Sequence, residues 1–156
     1  AGDNCKLVIA PHEVAAANVE RLMGLFPGAT LFSQLDEDAG IQGHVIIVDT
    51  IGHLSSLYRY GTIAFIGGGF GKGIHNILEA TANGLPVFFG PNYRNFSEAV
   101  ELVAGGGAFP VHTSAEAASG MSSLLGDRDR LQEISTRVRA FTRSRTGATR
   151  IIMDHL

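Results

Sequence analysis

The feature that most constrains this chain is a rhythm of short apolar runs, at 6–10, 29–32, 45–49, 62–66, 86–89 and 108–111. Each is the length of a buried strand and rich in Val, Ile or Phe. Segments 13–26, 52–60, 74–84, 95–104, 114–125 and 127–145 read instead as helices. Strands alternating with helices imply right-handed crossovers and a parallel sheet covered on both faces. The predicted fold is α/β: a doubly wound, Rossmann-like parallel sheet of about six strands with helices on both faces. At 156 residues, with no repeat or low-complexity stretch, one domain spanning 1–156 is expected.

Composition removes several function classes. A net charge of -3 argues against a nucleic-acid footprint over the whole domain. The single cysteine, Cys5, excludes an internal disulfide framework and fits a reducing compartment. No stretch approaches the roughly 20 apolar residues of a membrane span, and the first residues lack the pattern of a signal peptide. His44, His112 and His155 are scattered without metal-ligand spacing, so no metal is expected, nor any cofactor.

In doubly wound sheets ligands bind outside the carboxyl ends of the strands. Four loops there are rich in glycine, proline or polar groups: Pro11-His12-Glu13, Asp49-Thr50-Ile51-Gly52, residues 67–73, and Gly90-Pro91-Asn92. The third, GGGFGKG, holds five glycines in seven residues between a predicted strand and a helix expected to open near Ile74. Glycine lets a phosphate or sugar lie against bare backbone N–H groups, and a helix N-terminus behind it adds donors and positive potential. The loop is no Walker A motif, because Gly73 follows Lys72 where Ser or Thr is required. Nor does its spacing match the dinucleotide fingerprint. His75 and Glu79 stand four apart and would share a helix face. Glu79 either accepts from a ribose diol or simply satisfies the helix dipole.

Residues 67–99, GGGFGKGIHNILEATANGLPVFFGPNYRNFSEA, resemble the signature of the Kdo (3-deoxy-D-manno-octulosonic acid) transferases. That signature has a glycine pair, then G-x-H-N-x-L-E, then G-x-P-V and G-P. VIAPHE and VDTIGHLSSLYRYGTIAFIGGGF are similar to two further family segments in the right order, so the resemblance covers nearly the whole chain. Two positions depart from the pattern. His12 follows Pro11 where the family has arginine, and His53 follows Gly52 where it has glutamate.

The resemblance implies an inverting, metal-independent GT-B glycosyltransferase that moves Kdo from CMP-Kdo to a lipid A precursor in lipopolysaccharide biosynthesis. This chain looks like the C-terminal, donor-binding half, with the N-terminal acceptor domain absent and no catalytic residue of its own. Residue by residue, Gly68, Gly69, His75, Asn76 and Glu79 would hold the phosphate and ribose, and Gly71, Lys72, Gly90 and Pro91 would be donor-binding residues beside them. Asp49, Thr50 and Gly52 would line the cytidine side, and Pro11, His12 and Glu13 the sugar side. The implied partners are the CMP-Kdo donor, the lipid A precursor and the cytoplasmic membrane surface, with no nucleic acid. The implied location is the cytoplasmic face of the inner membrane for the full-length protein, the fragment itself being soluble. Other classes remain: a GT-B donor domain for a UDP- or GDP-sugar, or a non-catalytic nucleotide-binding module. A diphosphate would call for more cationic help than Lys72 and Arg94 near these loops, which favours a monophosphate.

Seven of the twelve basic residues (Arg128, Arg130, Arg137, Arg139, Arg143, Arg145 and Arg150) follow residue 126. Leu131, Ile134, Val138 and Phe141 keep helical spacing among them, which places the arginines on a wet face or against anionic lipid head groups.

Overall fold

The computed structural model describes residues 5–35 and 43–153. Its contacts divide the chain into two compact units, one ending at Leu57 and the other beginning at Tyr58.

In the first unit, β1 (Leu7–Ile9), β2 (Thr30–Leu31) and β3 (Val45–Ile47) form a parallel sheet in the order β1-β3-β2. Central β3 pairs Val45 with Leu7 and Ile47 with Ile9 on one side, and Ile46 with Thr30 on the other. Ile46, Ile47 and Val48 are buried, as expected of a strand flanked on both edges. Helix α1 (Ala16–Leu25) packs on β3, and α2 (Leu54–Leu57) closes the unit.

In the second unit, β4 (Ala64–Ile66), β5 (Val87–Phe89) and β6 (Ala108–Pro110) form another parallel sheet, in the order β4-β5-β6. The register places Phe65, Phe88 and Phe109 in one row. Phe88 and Phe109 stack with centroids 4.9 Å apart. Val87, Phe88 and Phe89 are all buried, which explains why β5 reads as an unbroken apolar run. Pro110 cannot donate to a ladder, and its strand lies at the sheet's edge. Helices α3 (Leu78–Ala82), α4 (Ser97–Ala104), α5 (Ser114–Gly126) and α6 (Arg128–Met153) complete the unit. Ile77, Ala80, Leu102, Leu124, Ile134 and Val138 join the strand residues in one core.

All six apolar runs are strands, within two residues at each end. The single sheet of about six strands is corrected to two three-stranded sheets, since no described pairing joins the two ladders. Apolar runs locate strands. Which backbone edges meet is a long-range property that a run does not encode. The predicted helix 74–84 is also shorter than expected: α3 opens only at Leu78. The glycine-rich segment folds back on itself, and the Asn76 side chain starts the helix by accepting from the Leu78 N–H at 2.9 Å.

Candidate functional site

In the first unit three strand ends carry polar residues. Parallel pairing sets the carboxyl ends of β1 and β3 side by side, and the Val48 N–H donates to the Ile9 carbonyl at 2.8 Å. The loops that leave them hold Pro11, His12 and Glu13 on one strand and Asp49, Thr50 and Gly52 on the other. His12 and Glu13 are exposed, and the Glu13 carbonyl accepts from Asn18 Nδ2 at 3.2 Å. Gly52 has φ +91°, a left-handed turn that a β-carbon would strain.

Asp49 is tied to a residue that sequence reasoning missed. Ser33, in the 3₁₀ turn after β2, donates from its N–H to Asp49 Oδ1 at 2.9 Å and from its hydroxyl to Oδ2 at 2.5 Å. Burial alone would raise the Asp49 carboxyl, but the Ser33 donors and Asp49's own N–H outweigh it and hold the group below its ordinary 3.8. The only hint in the sequence is position, a small polar residue just past an apolar run. The Thr50 hydroxyl oxygen is buried without a hydrogen-bond partner among the described residues. His53, the residue departing from the family pattern, sets its ring 5.2 Å from that of Phe32.

In the second unit the loop after β4 packs against the loop after β5. The amides of Gly71 and Gly73 donate to the Gly68 carbonyl at 2.8 and 3.3 Å, and that of His75 to Gly67 at 3.1 Å. Asn92 clamps the loop from the other side, its N–H donating to Gly69 O at 2.9 Å and its Nδ2 to Gly71 O at 2.7 Å. The sequence singled out the Gly90-Pro91-Asn92 loop but assigned Asn92 no task.

Beside Gly90, three glycines of the loop after β4 are required by this packing. Gly68 has φ +85°, and a β-carbon there would run into the Gly73 carbonyl. On Gly69 a β-carbon would stand 2.6 Å from Gly90 N. At Gly73 it would lie 2.9 Å from the Phe96 ring. Gly71 is different, with its nearest neighbour at 3.6 Å. Much of the glycine density therefore serves the loop's own fold, while Gly67, Gly71 and Lys72 stand exposed.

His75 and Asn76 precede α3, so the expected shared helix face of His75 and Glu79 is corrected: only Glu79 is helical. α3 is five residues long, and the helix N-terminus expected near Ile74 lies instead at Leu78. Glu79 is exposed and sits in the first turn of α3. Tyr58, half-buried in the 3₁₀ turn before β4, is pushed above its ordinary 10.0, first by burial and then by the Glu79 carboxylate. Gly90 is buried and Pro91 partly exposed. Arg94 lies 6.0 Å over the Tyr93 ring.

Among the described residues no three His, Cys, Asp or Glu side chains gather to hold a metal, and no helix is long and apolar enough to cross a membrane. His155 lies outside the described residues.

Parallel strands with glycine-rich and polar loops at their carboxyl ends define an α/β protein of the doubly wound kind, in which ligand sites lie at those strand ends. No protein-family model matches the chain. It is 35% identical over 114 residues to the 3-deoxy-D-manno-octulosonic acid transferase of Bordetella pertussis, covering 72% of this chain and 27% of that protein. It is 34% identical over 123 residues to the enzyme of the same name from Aquifex aeolicus (strain VF5), covering 77% of this chain and 33% of that one. The crystal structure of the C-terminal CMP-Kdo binding domain of WaaA from Acinetobacter baumannii shares the fold, with a TM-score of 0.73 at 16% identity over 89% of this chain and 90% of that one. The chain belongs to the 3-deoxy-D-manno-octulosonic acid transferase family. It spans only about a quarter to a third of the length of these curated relatives.

Proposed function

We propose that this chain is the donor-binding half of a Kdo transferase, holding CMP-Kdo while Kdo passes to a lipid A precursor. The observation that carries the reading is the 66–91 motif, which folds as a clamped loop at the carboxyl ends of parallel strands in a chain of this family. Gly68, Gly69, His75, Asn76 and Glu79 hold the phosphate and ribose in this reading, with Gly71, Lys72, Gly90 and Pro91 as further donor-binding residues. Asp49, Thr50 and Gly52 line the cytidine side, and Pro11, His12 and Glu13 the sugar.

The acceptor, the catalytic base and contact with the cytoplasmic face of the inner membrane belong, in this reading, to an N-terminal half outside these 156 residues. In inverting transfer the acceptor oxygen bonds to the anomeric carbon as the bond to CMP breaks, and a base takes the acceptor's proton. A carboxylate on the leaving-group side, such as Glu79, cannot reach that proton. By itself the chain therefore binds donor without transferring it.

Calorimetric titration with CMP, UDP and NAD tests the proposal. CMP is expected to bind more tightly than the other two. Glu79→Gln should weaken CMP by about 1.5–3 kcal/mol, the worth of a charge-assisted hydrogen bond. Tighter binding of NAD than of CMP would overturn the reading.

A further inference from the structure

Ser33 is not among the residues proposed to hold the donor, yet it grips one that is. The register sets Leu31 beside Ile47, and Ser33 and Asp49 each follow two residues on, so the parallel strands deliver both side chains to one place. Ser33 then donates to both carboxylate oxygens, from its N–H at 2.9 Å and from its hydroxyl at 2.5 Å. Its neighbour Phe32, in the same 3₁₀ turn, meets the His53 ring, so the turn braces the loop after β3 at two points. From the strand side Asp49 follows buried Ile46, Ile47 and Val48, which anchor its backbone.

A carboxylate held this way has a defined chemistry. The Ser33 donors keep it ionised, and an ionised carboxylate accepts hydrogen bonds but cannot donate one. It offers about four lone-pair sites, and Ser33 takes one on each oxygen. Asp49 is only partly buried, so acceptor capacity remains for a ligand.

We propose that Ser33 is a positioning residue that aims the Asp49 carboxylate as a fixed acceptor, and that this acceptor selects cytosine over uracil. Both roles rest on the donor-binding reading, in which Asp49 lines the cytidine side. Cytosine carries an exocyclic amine, N4, whose N–H a carboxylate accepts. Uracil has the carbonyl oxygen O4 at the same position, which would set acceptor against acceptor. The mismatch rejects uracil because the carboxylate has no proton to offer and, tied to Ser33, does not turn aside.

CMP and UMP differ only at that edge of the base, so calorimetric titration of the chain with CMP, UMP and NAD reads the selection. Wild type should bind CMP on the order of tenfold or more tighter than UMP. Asp49→Asn, whose amide can donate to O4, should bring the two affinities to within about threefold of each other. Ser33→Ala keeps the backbone donor but loses the hydroxyl, and should cut the CMP-to-UMP ratio about threefold or more. Ser33→Thr, which puts a hydroxyl back, should rescue the ratio. A brace that only stabilised the loop would weaken both nucleotides equally in Ser33→Ala, and an unchanged ratio there overturns the positioning role. Equal binding of CMP and UMP by wild type, both tighter than NAD, overturns the base selection and leaves the donor-binding reading standing. Tighter binding of NAD than of CMP overturns that reading and the selection with it. If circular dichroism shows Asp49→Asn unfolded, the ratio in Ser33→Ala decides.

Discussion

Gly69 and Gly90 meet backbone to backbone: a β-carbon on Gly69 would stand 2.6 Å from the Gly90 nitrogen and 2.9 Å from its Cα. The neighbour is main chain and cannot swing aside as a flexible side chain would. Gly69→Ala and Gly90→Ala are each expected to cost about 1–3 kcal/mol, as overpacking does. Gly71→Ala should stay within about 0.5 kcal/mol, since nothing crowds that position. Denaturant unfolding of the three variants checks this. A Gly71→Ala loss as large as the other two would refute the ranking.

The Ser33–Asp49 pair gives a pH signature. Asp49 titrates below 3.8 when folded, so its contribution to stability is fully present above 3.8 and is lost as pH falls through the lower folded value. Ser33→Ala removes the hydroxyl donor and should raise the Asp49 pKa, shrinking that acid-sensitive contribution. Carboxyl carbon chemical shifts followed through a pH titration, in wild type and Ser33→Ala, supply the measurement. An Asp49 pKa unmoved by the substitution would show that the hydroxyl bond does not govern it.

Tyr58 reports on Glu79 at the other end of the scale. Its folded pKa lies above 10.0, so the stability it contributes is present below that value and is lost as pH rises through the folded one. Glu79→Gln should bring the Tyr58 titration down toward 10.0 without reaching it, because burial is the larger cause and remains. Phenolate absorbance through an alkaline titration, with Tyr58→Phe identifying the signal against Tyr60 and Tyr93, reads the shift. No change on substituting Glu79 would place its carboxylate out of range.

The strands were legible because buried parallel strands are written as unbroken apolar runs; β5, buried at all three positions, is the clearest case. α6 was legible from Leu131, Ile134 and Val138 at helical spacing. The residues of the candidate loops could be named for the same reason, since polar and glycine residues crowd where the apolar runs stop. The partners of those residues could not. Ser33 is sixteen positions from Asp49, and Asn92 is twenty-one from Gly71. The start of α3 was misplaced because helical spacing carries on through 74–77, whereas the chain spends those residues closing the glycine loop onto Gly67 and Gly68. Gly69 and Gly73 look alike in sequence, yet one meets backbone and the other the Phe96 ring.

Val138, fully buried, reaches across to Leu102 and Gly107, and Ile134 joins the same core. Both stand on α6, which follows β4, β5 and β6 in the chain. During synthesis the amino-terminal residues emerge first. The three strands of the second unit therefore leave the ribosome before the helix that seals one face of their core. Until α6 follows, the core lacks Ile134 and Val138, and the gap they fill stays open for the time it takes to add some two dozen residues. A chain ending before Arg128 would therefore expose apolar core surface that the full chain buries.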